Sequence, residues 1–268
     1  GLTIAGIVET HVHADHVSGN QALAARTGAR IHIHPAASAA FAHEPVEDGR
    51  RLQVGSVALD VVHTPGHTPE SISLLVTDLG RGAEPWFVLT GDTLFVGDVG
   101  RPDFGGEQAA AHLYASLTER LLRLPDSVEV YPAHGAGSSC GRAMSSKTAT
   151  TIGFERRFNA ALQAAGVDDF VRRLMTGLPP KPPNFDRIIA RNRAQAVPVS
   201  GSPRPLSAAQ VREAMEKGAW VLDVRSPEEY GQGHIPGAIN VWIESPQFAN
   251  RAGLFATPLI NHPEVAIL

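Results

Sequence analysis

Between Thr10 and His16 the chain reads Thr-His-Val-His-Ala-Asp-His, which sets three imidazoles and one carboxylate within six positions. Neutral imidazole and carboxylate are the donors that zinc and iron accept, so this density points to a metal centre rather than to packing. Three further segments each carry one such group on a tight turn: Thr64-Pro65-Gly66-His67-Thr68-Pro69, Thr90-Gly91-Asp92-Thr93 and Tyr131-Pro132-Ala133-His134-Gly135. A lone histidine on an apolar face is usually a satisfied core residue. His11, His13, Asp15, His16, His67, Asp92 and His134 together form a pattern that a shared ion explains better.

These groups need a scaffold that brings distant turns to one place. The apolar run Ile4 to Val8 predicts a strand ending at Thr10, and Gln21 to Arg26 predicts a helix closed by Gly28. Residues two apart in extended chain face one side, so His11 and His13 can converge, while Asp15 and His16 fall where the next helix begins. Further strands are predicted at Ile31 to His34, Val57 to Val62, Ile72 to Val76, Trp86 to Leu89 and Val128 to Tyr131, with a helix from Glu107 to Leu124. Such a mixture, with His and Asp loops at strand ends, implies a layered α/β architecture with its site along one sheet edge.

From Arg191 to Leu206 the composition turns to Pro, Ser and Gly, so a domain boundary is expected there, with the linker over 196–206. Beyond it a helix near Ser207, a strand Trp220 to Val224 and a turn-rich Gly231 to Gly237 follow. The 62 residues of 207–268 are few for an α/β domain to close its own core, so this second domain reads as truncated.

At 268 residues and 43% hydrophobic, the chain can bury two modest cores. A net charge of -4 without any Lys/Arg run argues against nucleic acid or an anionic membrane as partner. No apolar stretch approaches the ~20 residues of a membrane span, and no charged-then-apolar leader opens the chain, so a cytoplasmic location is expected. The single cysteine, Cys140, excludes an intrachain disulfide and fits a reducing compartment.

The H-x-H-x-D-H run, followed by G-H-T, G-D and a late His, resembles the metallo-β-lactamase superfamily over roughly residues 1 to 190. That resemblance implies an αββα sandwich, with the chain starting at the strand that carries the first ligand loop and the opening strands absent. Two chemistries are open within it. In a dinuclear zinc thioester hydrolase of the glyoxalase II kind, His11, His13 and His67 would hold one metal, and Asp15, His16 and His134 the other, with Asp92 bridging. In the persulfide dioxygenases, which the chain also resembles, only the residues matching His11, His67 and Asp92 bind one Fe(II), as a two-His, one-carboxylate triad with open positions. His13, Asp15, His16 and His134 would then position the ligands from behind.

Thr93 to Phe104 and His134 to Gly141 look like segments of persulfide dioxygenases fused to rhodanese domains. Trp220-Val221-Leu222-Asp223-Val224-Arg225, Glu228-Glu229-Tyr230 and Gly233 to Asn240 resemble the first half of a rhodanese domain. The expected function is therefore oxidation of a thiol persulfide, such as that of glutathione, by O2 to sulfite and free thiol. A non-enzymatic persulfide-binding module is a further alternative. The resemblance sets Arg101 and Asp103 in a loop lining the substrate pocket, although a local Arg-Asp pair would explain them as well. It sets Cys140 near the iron as a candidate persulfide carrier, against the plain reading of a small buried hydrophobe. His63 reads as a strand-end residue, and His32, His34, His43, His112 and His262 as ordinary histidines. No cysteine follows Cys140, so residues 207–268 cannot themselves transfer sulfur through a thiol. Gln247 to Gly253 resembles a non-catalytic rhodanese-homology domain, which leaves an active sulfurtransferase further downstream, and a homodimer, open as partners.

Overall fold

A computed structural model describes residues 1–102, 105–136, 138, 140–178, 180–182, 184–195, 205–245, 248 and 251–253, with 265–267 as backbone. The chain divides into two units, Gly1–Lys181 with Ile188–Ala196, and Pro182–Arg187 with Val197–Leu268.

The first unit holds two sheets. Strands β1 (Gly6–Val8), β2 (Arg30–Ile33) and β3 (Glu44–Pro45) run parallel in that order. The second sheet has the order β4 (Arg51–Val54), β5 (Val57–His63), β6 (Ile72–Asp78), β7 (Phe87–Gly91), β8 (Glu129–Pro132) and β9 (Thr150–Thr151). Strand alternation assigns its two faces. Val61, Ile72 and Leu74 join Val46, Val8 and Leu89 in a core between the sheets. Val88 and Val130, with Leu75, pack instead on α2 (Gly106–Ala115) and α4 (Val167–Met175), through Leu113, Phe170 and Leu174. On the outer side of the small sheet, Val12, Ile33 and Ala37 meet Ile189 of α5 (Phe185–Arg193). Helix, sheet, sheet and helix thus stack in four layers, the αββα order.

Helix α1 (Asn20–Thr27) ends at Gly28, whose φ of 74° closes it in the left-handed region. The helix predicted to Leu124 is α-helical only to Ala115; a π turn over Ser116–Arg120 and a 3-10 turn over Leu121–Arg123 follow. Leu113, Leu117 and Leu121 are all buried. Residues four apart drift about 40° around an α-helix, so the wider turn keeps the three leucines on one core. Arg191 to Arg193 lie in α5, so the composition change at Arg191 precedes the end of the helix. Residues 196–204 of the predicted linker lie outside the described residues.

Topology decides where the ligand turns meet. Strands β5, β6 and β7 alternate in direction while β7 and β8 run parallel, so β5, β7 and β8 all point their carboxyl ends to one edge. His67, Asp92 and His134 follow those three ends. The loop after β1 reaches the same edge, where the Ile72 amide donates to the Thr10 carbonyl at 2.8 Å.

In the second unit, β11 (Ile239–Asn240), β10 (Trp220–Asp223) and β12 (Val265–Ile267) form a parallel sheet. Helices α6 (Ala208–Glu216) and α7 (Pro227–Gln232) each start from a capping box, Ser207 with Gln210 and Ser226 with Glu229. Val211, Val221 and Ala238 form its small core with Tyr230 and Ile235. The Arg225 guanidinium pairs with Asp223 and donates to the Gly233 carbonyl, while His234 stacks on Tyr230. The Arg225 contacts fasten the 225–233 turn to the strand, and the stack holds His234 against α7.

Candidate metal centre

His11, His67 and Asp92 converge. One ligating atom from each lies within 4.8 Å of the other two, and all three side chains are about 1% exposed. His67 Nε2 stands 3.4 Å, and His11 Nε2 3.6 Å, from Asp92 Oδ2. The His67 Nδ1–H donates to the Arg101 carbonyl at 2.9 Å, which fixes the tautomer and leaves the Nε2 lone pair facing Asp92. His11 Nδ1 contacts Thr10 Oγ1 at 3.1 Å, and its buried Nε2 has no hydrogen-bond partner. An orphaned buried nitrogen is costly unless something accepts its lone pair. Beside a second imidazole nitrogen and a buried carboxylate, that something is a cation, and the donor set fits a facial triad.

Burial and neighbours tune these groups. Burial, helped by the other imidazoles, holds His11 well below the usual histidine value, so it is neutral and ready to ligate at pH 7. For Asp92, burial works upward but is overcome by His11, His134 and His67, leaving a carboxylate that stays ionised.

Two glycines are required by this geometry. A Cβ on Gly100 would lie 1.9 Å from the Asp92 carbonyl oxygen and 3.1 Å from His67 Cβ, so only glycine lets the 97–101 loop cross behind both ligands. Gly66 has φ of 145°, and a Cβ there would meet Leu113 of α2 at 2.4 Å. A pocket of about 220 Å³ borders His67, between Gly66 and Pro69 on one side and Gly105, Gln108 and Ala109 at the start of α2 on the other.

The remaining candidates form a second layer. His134 uses both nitrogens on carboxylates: Nδ1 donates to Asp92 at 2.7 Å and Nε2 to Asp15 at 2.9 Å. Burial lowers its pKa, but the hydrogen bonds to Asp15, Asp92 and Cys140 win and raise it far above neutral. Asp15 also accepts from His16 Nδ1 at 3.0 Å, and His16 is half exposed. Burial works to raise the Asp15 pKa, and its bonds to His134 and His16 hold it low instead. His13 groups with Asp15 and His16 rather than with the buried trio. Its Nδ1 is 3.7 Å from Asp15 Oδ1, and burial first, then His16, pulls its pKa down to about 4.

Cys140 is buried beside His134 and Asp15. An adjacent imidazole by itself lowers a thiol pKa. Burial outweighs the His134 hydrogen bond, however, and with the charges of Asp92 and Asp15 pushes the thiol up to about 11, which keeps it protonated. Arg101 is buried; its carbonyl orients His67, and its amide donates to the Cys140 carbonyl. Asp103, like Phe104 and His262, lies outside the described residues. His63 is not among the clustered ligands; it stacks on His34 at 4.0 Å and contacts the Pro69 carbonyl through Nε2. Sequence reasoning missed Glu70 and Asn192, both of which bond to the 12–18 backbone. Glu70 carried a signal, as an acid next to the His67 turn and ahead of an apolar strand; Asn192 carried none.

The family model for the metallo-beta-lactamase superfamily matches residues 1–134, and that for the rhodanese-like domain matches residues 207–264. The crystal structure of a metallo-beta-lactamase from Staphylococcus aureus is similar over 99% of this chain and 76% of that one, with 32% identity and a TM-score of 0.84. The mitochondrial persulfide dioxygenase ETHE1 of Bos taurus is 31% identical over 192 residues, 72% of this chain and 69% of its own. A hydroxyacylglutathione hydrolase of a Polaromonas strain is 39% identical over 137 residues, 50% of this chain and 49% of its own.

Proposed function

The chain belongs to the metallo-beta-lactamase superfamily and carries a rhodanese-like domain, and on that premise we propose that its first domain is an Fe(II)-dependent persulfide dioxygenase. The reaction is R–S–SH + O2 + H2O → R–SH + sulfite + two protons, with R a low-molecular-weight thiol carrier such as glutathione. The observation that carries this reading is the division of the seven candidate ligands. Only His11, His67 and Asp92 turn ligating atoms toward one buried point, whereas His134 has both ring nitrogens engaged by Asp92 and Asp15. A dinuclear hydrolase needs a His134 nitrogen for its second ion; His13, although its ring lies 4.3 Å from that of His11, clusters with Asp15 and His16 instead of with the trio. Similarity to a persulfide dioxygenase across most of its length, together with a neighbouring sulfur-handling module, supports a sulfur substrate.

His11, His67 and Asp92 would hold one Fe(II), which would supply the redox chemistry that joins oxygen to a bound sulfur. The chain's own residues do the rest. Arg101 fixes His67 through its carbonyl. Burial of the trio excludes water and keeps both imidazoles aimed. The contacts from Asp92 through His134 and Asp15 to the half-exposed His16 hold a proton next to the centre and offer the two released protons a route to solvent. Similarity to a hydroxyacylglutathione hydrolase keeps thioester hydrolysis as the rival. Anaerobic purification with metal analysis, then oxygen-electrode assays on persulfides, separates them. One iron per chain with persulfide-dependent oxygen uptake is expected; two zincs with acyl-glutathione cleavage would overturn the proposal.

A further inference from the structure

We infer that Asn192, at the end of α5, is a positioning residue that clamps the metal-binding loop, so that the centre is assembled by a residue about 180 positions away in sequence. Its Nδ2 donates to two carbonyls of that loop, His13 O at 2.9 Å and His16 O at 2.8 Å. Its Oδ1 accepts from the Ser18 amide at 2.9 Å. One amide side chain thereby satisfies three backbone groups and uses both donor hydrogens and the acceptor. The asparagine is buried, so water cannot easily replace it there.

The 13–18 segment has no helix or strand of its own; regular structure resumes only at α1. Its backbone must therefore find partners elsewhere. A second brace from the same side acts next to His11: Glu70 Oε1 accepts from the Val12 amide at 3.0 Å, and its Oε2 faces Arg193 at 3.7 Å. Glu70 is fully buried, and Arg193 is anchored in turn where the Ala40 amide donates to its carbonyl. The two braces hold the segment from Val12 to Ser18, which follows directly on His11 and carries Asp15. Loosening the 13–16 turn would release Asp15 from His134, and His134 from Asp92. This inference rests on the metal centre proposed above but not on the reaction it performs.

The test uses the full chain with three substitutions. Asn192→Ala removes all three bonds. Asn192→Asp keeps the size and the acceptor for Ser18 but sets a carboxylate oxygen against two carbonyls. Leu174→Ala, on α4 in the core that packs on the large sheet, serves as a destabilised control. Retention of Fe(II) is measured anaerobically against a ferrous chelator, and the visible spectrum of the Co(II)-loaded chain is recorded. Both Asn192 variants should release Fe(II) about 10–100-fold more readily, the usual cost of losing a group that orients metal ligands, and should shift the Co(II) bands. Leu174→Ala should lower the melting temperature yet stay within about twofold in affinity, as distant sites do. A folded Asn192→Asp with unchanged retention and spectrum, or an equal loss in Leu174→Ala, would overturn the inference. So would failure of both Asn192 variants to fold, since the clamp would then serve folding alone, or failure of the unsubstituted chain to take up any metal. A chain that holds iron through Asn192 but consumes no oxygen with persulfides would refute the proposed reaction and leave the clamp standing.

Discussion

The inner trio and the outer group contain the same residue types and share one loop, yet they differ in what their polar atoms face. His11, His67 and Asp92 are buried, and the His11 Nε2, 3.6 Å from Asp92 Oδ2, has no hydrogen-bond partner. In the outer group, Asp15 accepts from His134 and His16, and His134 donates to the carboxylates of Asp92 and Asp15 and bonds to the Cys140 thiol. An inner ligand thus has a lone pair to give, while Asp15, His16 and His134 are already spent on one another; His13, whose buried Nδ1 has no hydrogen-bond partner, is the exception. Residue type nominates a ligand; burial and the surrounding hydrogen bonds decide whether it serves as one.

The largest effect should separate the layers outright. His67→Ala or Asp92→Ala should abolish persulfide-dependent oxygen uptake and reduce bound iron to background, whereas His13→Gln should keep its iron in metal analysis. Equal loss from His13→Gln would break the distinction. Next comes Gly100→Ala, which forces a methyl onto the Asp92 carbonyl. It should cost about 3 kcal/mol or more in urea unfolding, because a backbone oxygen cannot yield as a flexible side chain would.

His134→Gln leaves the trio intact but removes its link to Asp15. A loss of about 10–100-fold in iron affinity is expected, with stoichiometry still at one per chain. A fall in metal content from two to one would instead identify His134 as a ligand. The smallest effect concerns pH. The unfolded chain protonates His13 near ~6.5, while the folded chain holds it neutral until about 4. The unfolded state therefore binds more protons in that window, and metal-free stability falls as pH drops through it. His134 acts with the opposite sign: its raised pKa stabilises the fold below the usual histidine value and is lost only as pH climbs through the raised one. His13→Gln should flatten the decline in melting temperature between pH 6.5 and 4; an unchanged slope would mean that His13 is not held neutral.

Much of the fold could be read from local signals. Apolar runs marked β5, β6, β7 and β8 to within a few residues, and Gly28 marked the end of α1, because alternation and a left-handed cap are written in neighbouring residues. The short strands β3 and β9 were silent, since two residues carry no period. The π turn after Ala115 was missed because its helical composition continues unbroken through Leu124. Arg191 to Arg193 belong to a helix whose end already reads as linker, which concealed Asn192.

The sequence by itself determined the inventory: seven candidate ligands, the turns that carry them and the strands before those turns, all set by residue type and short-range spacing. It left open which of the seven face a common point. That choice depends on the parallel alignment of β5, β7 and β8, on carboxylates that engage His134 from two separate segments, and on an asparagine brought back from the far end of the domain. Burial and hydrogen-bond satisfaction are properties of atoms close in space, and only the folded chain brings these atoms together.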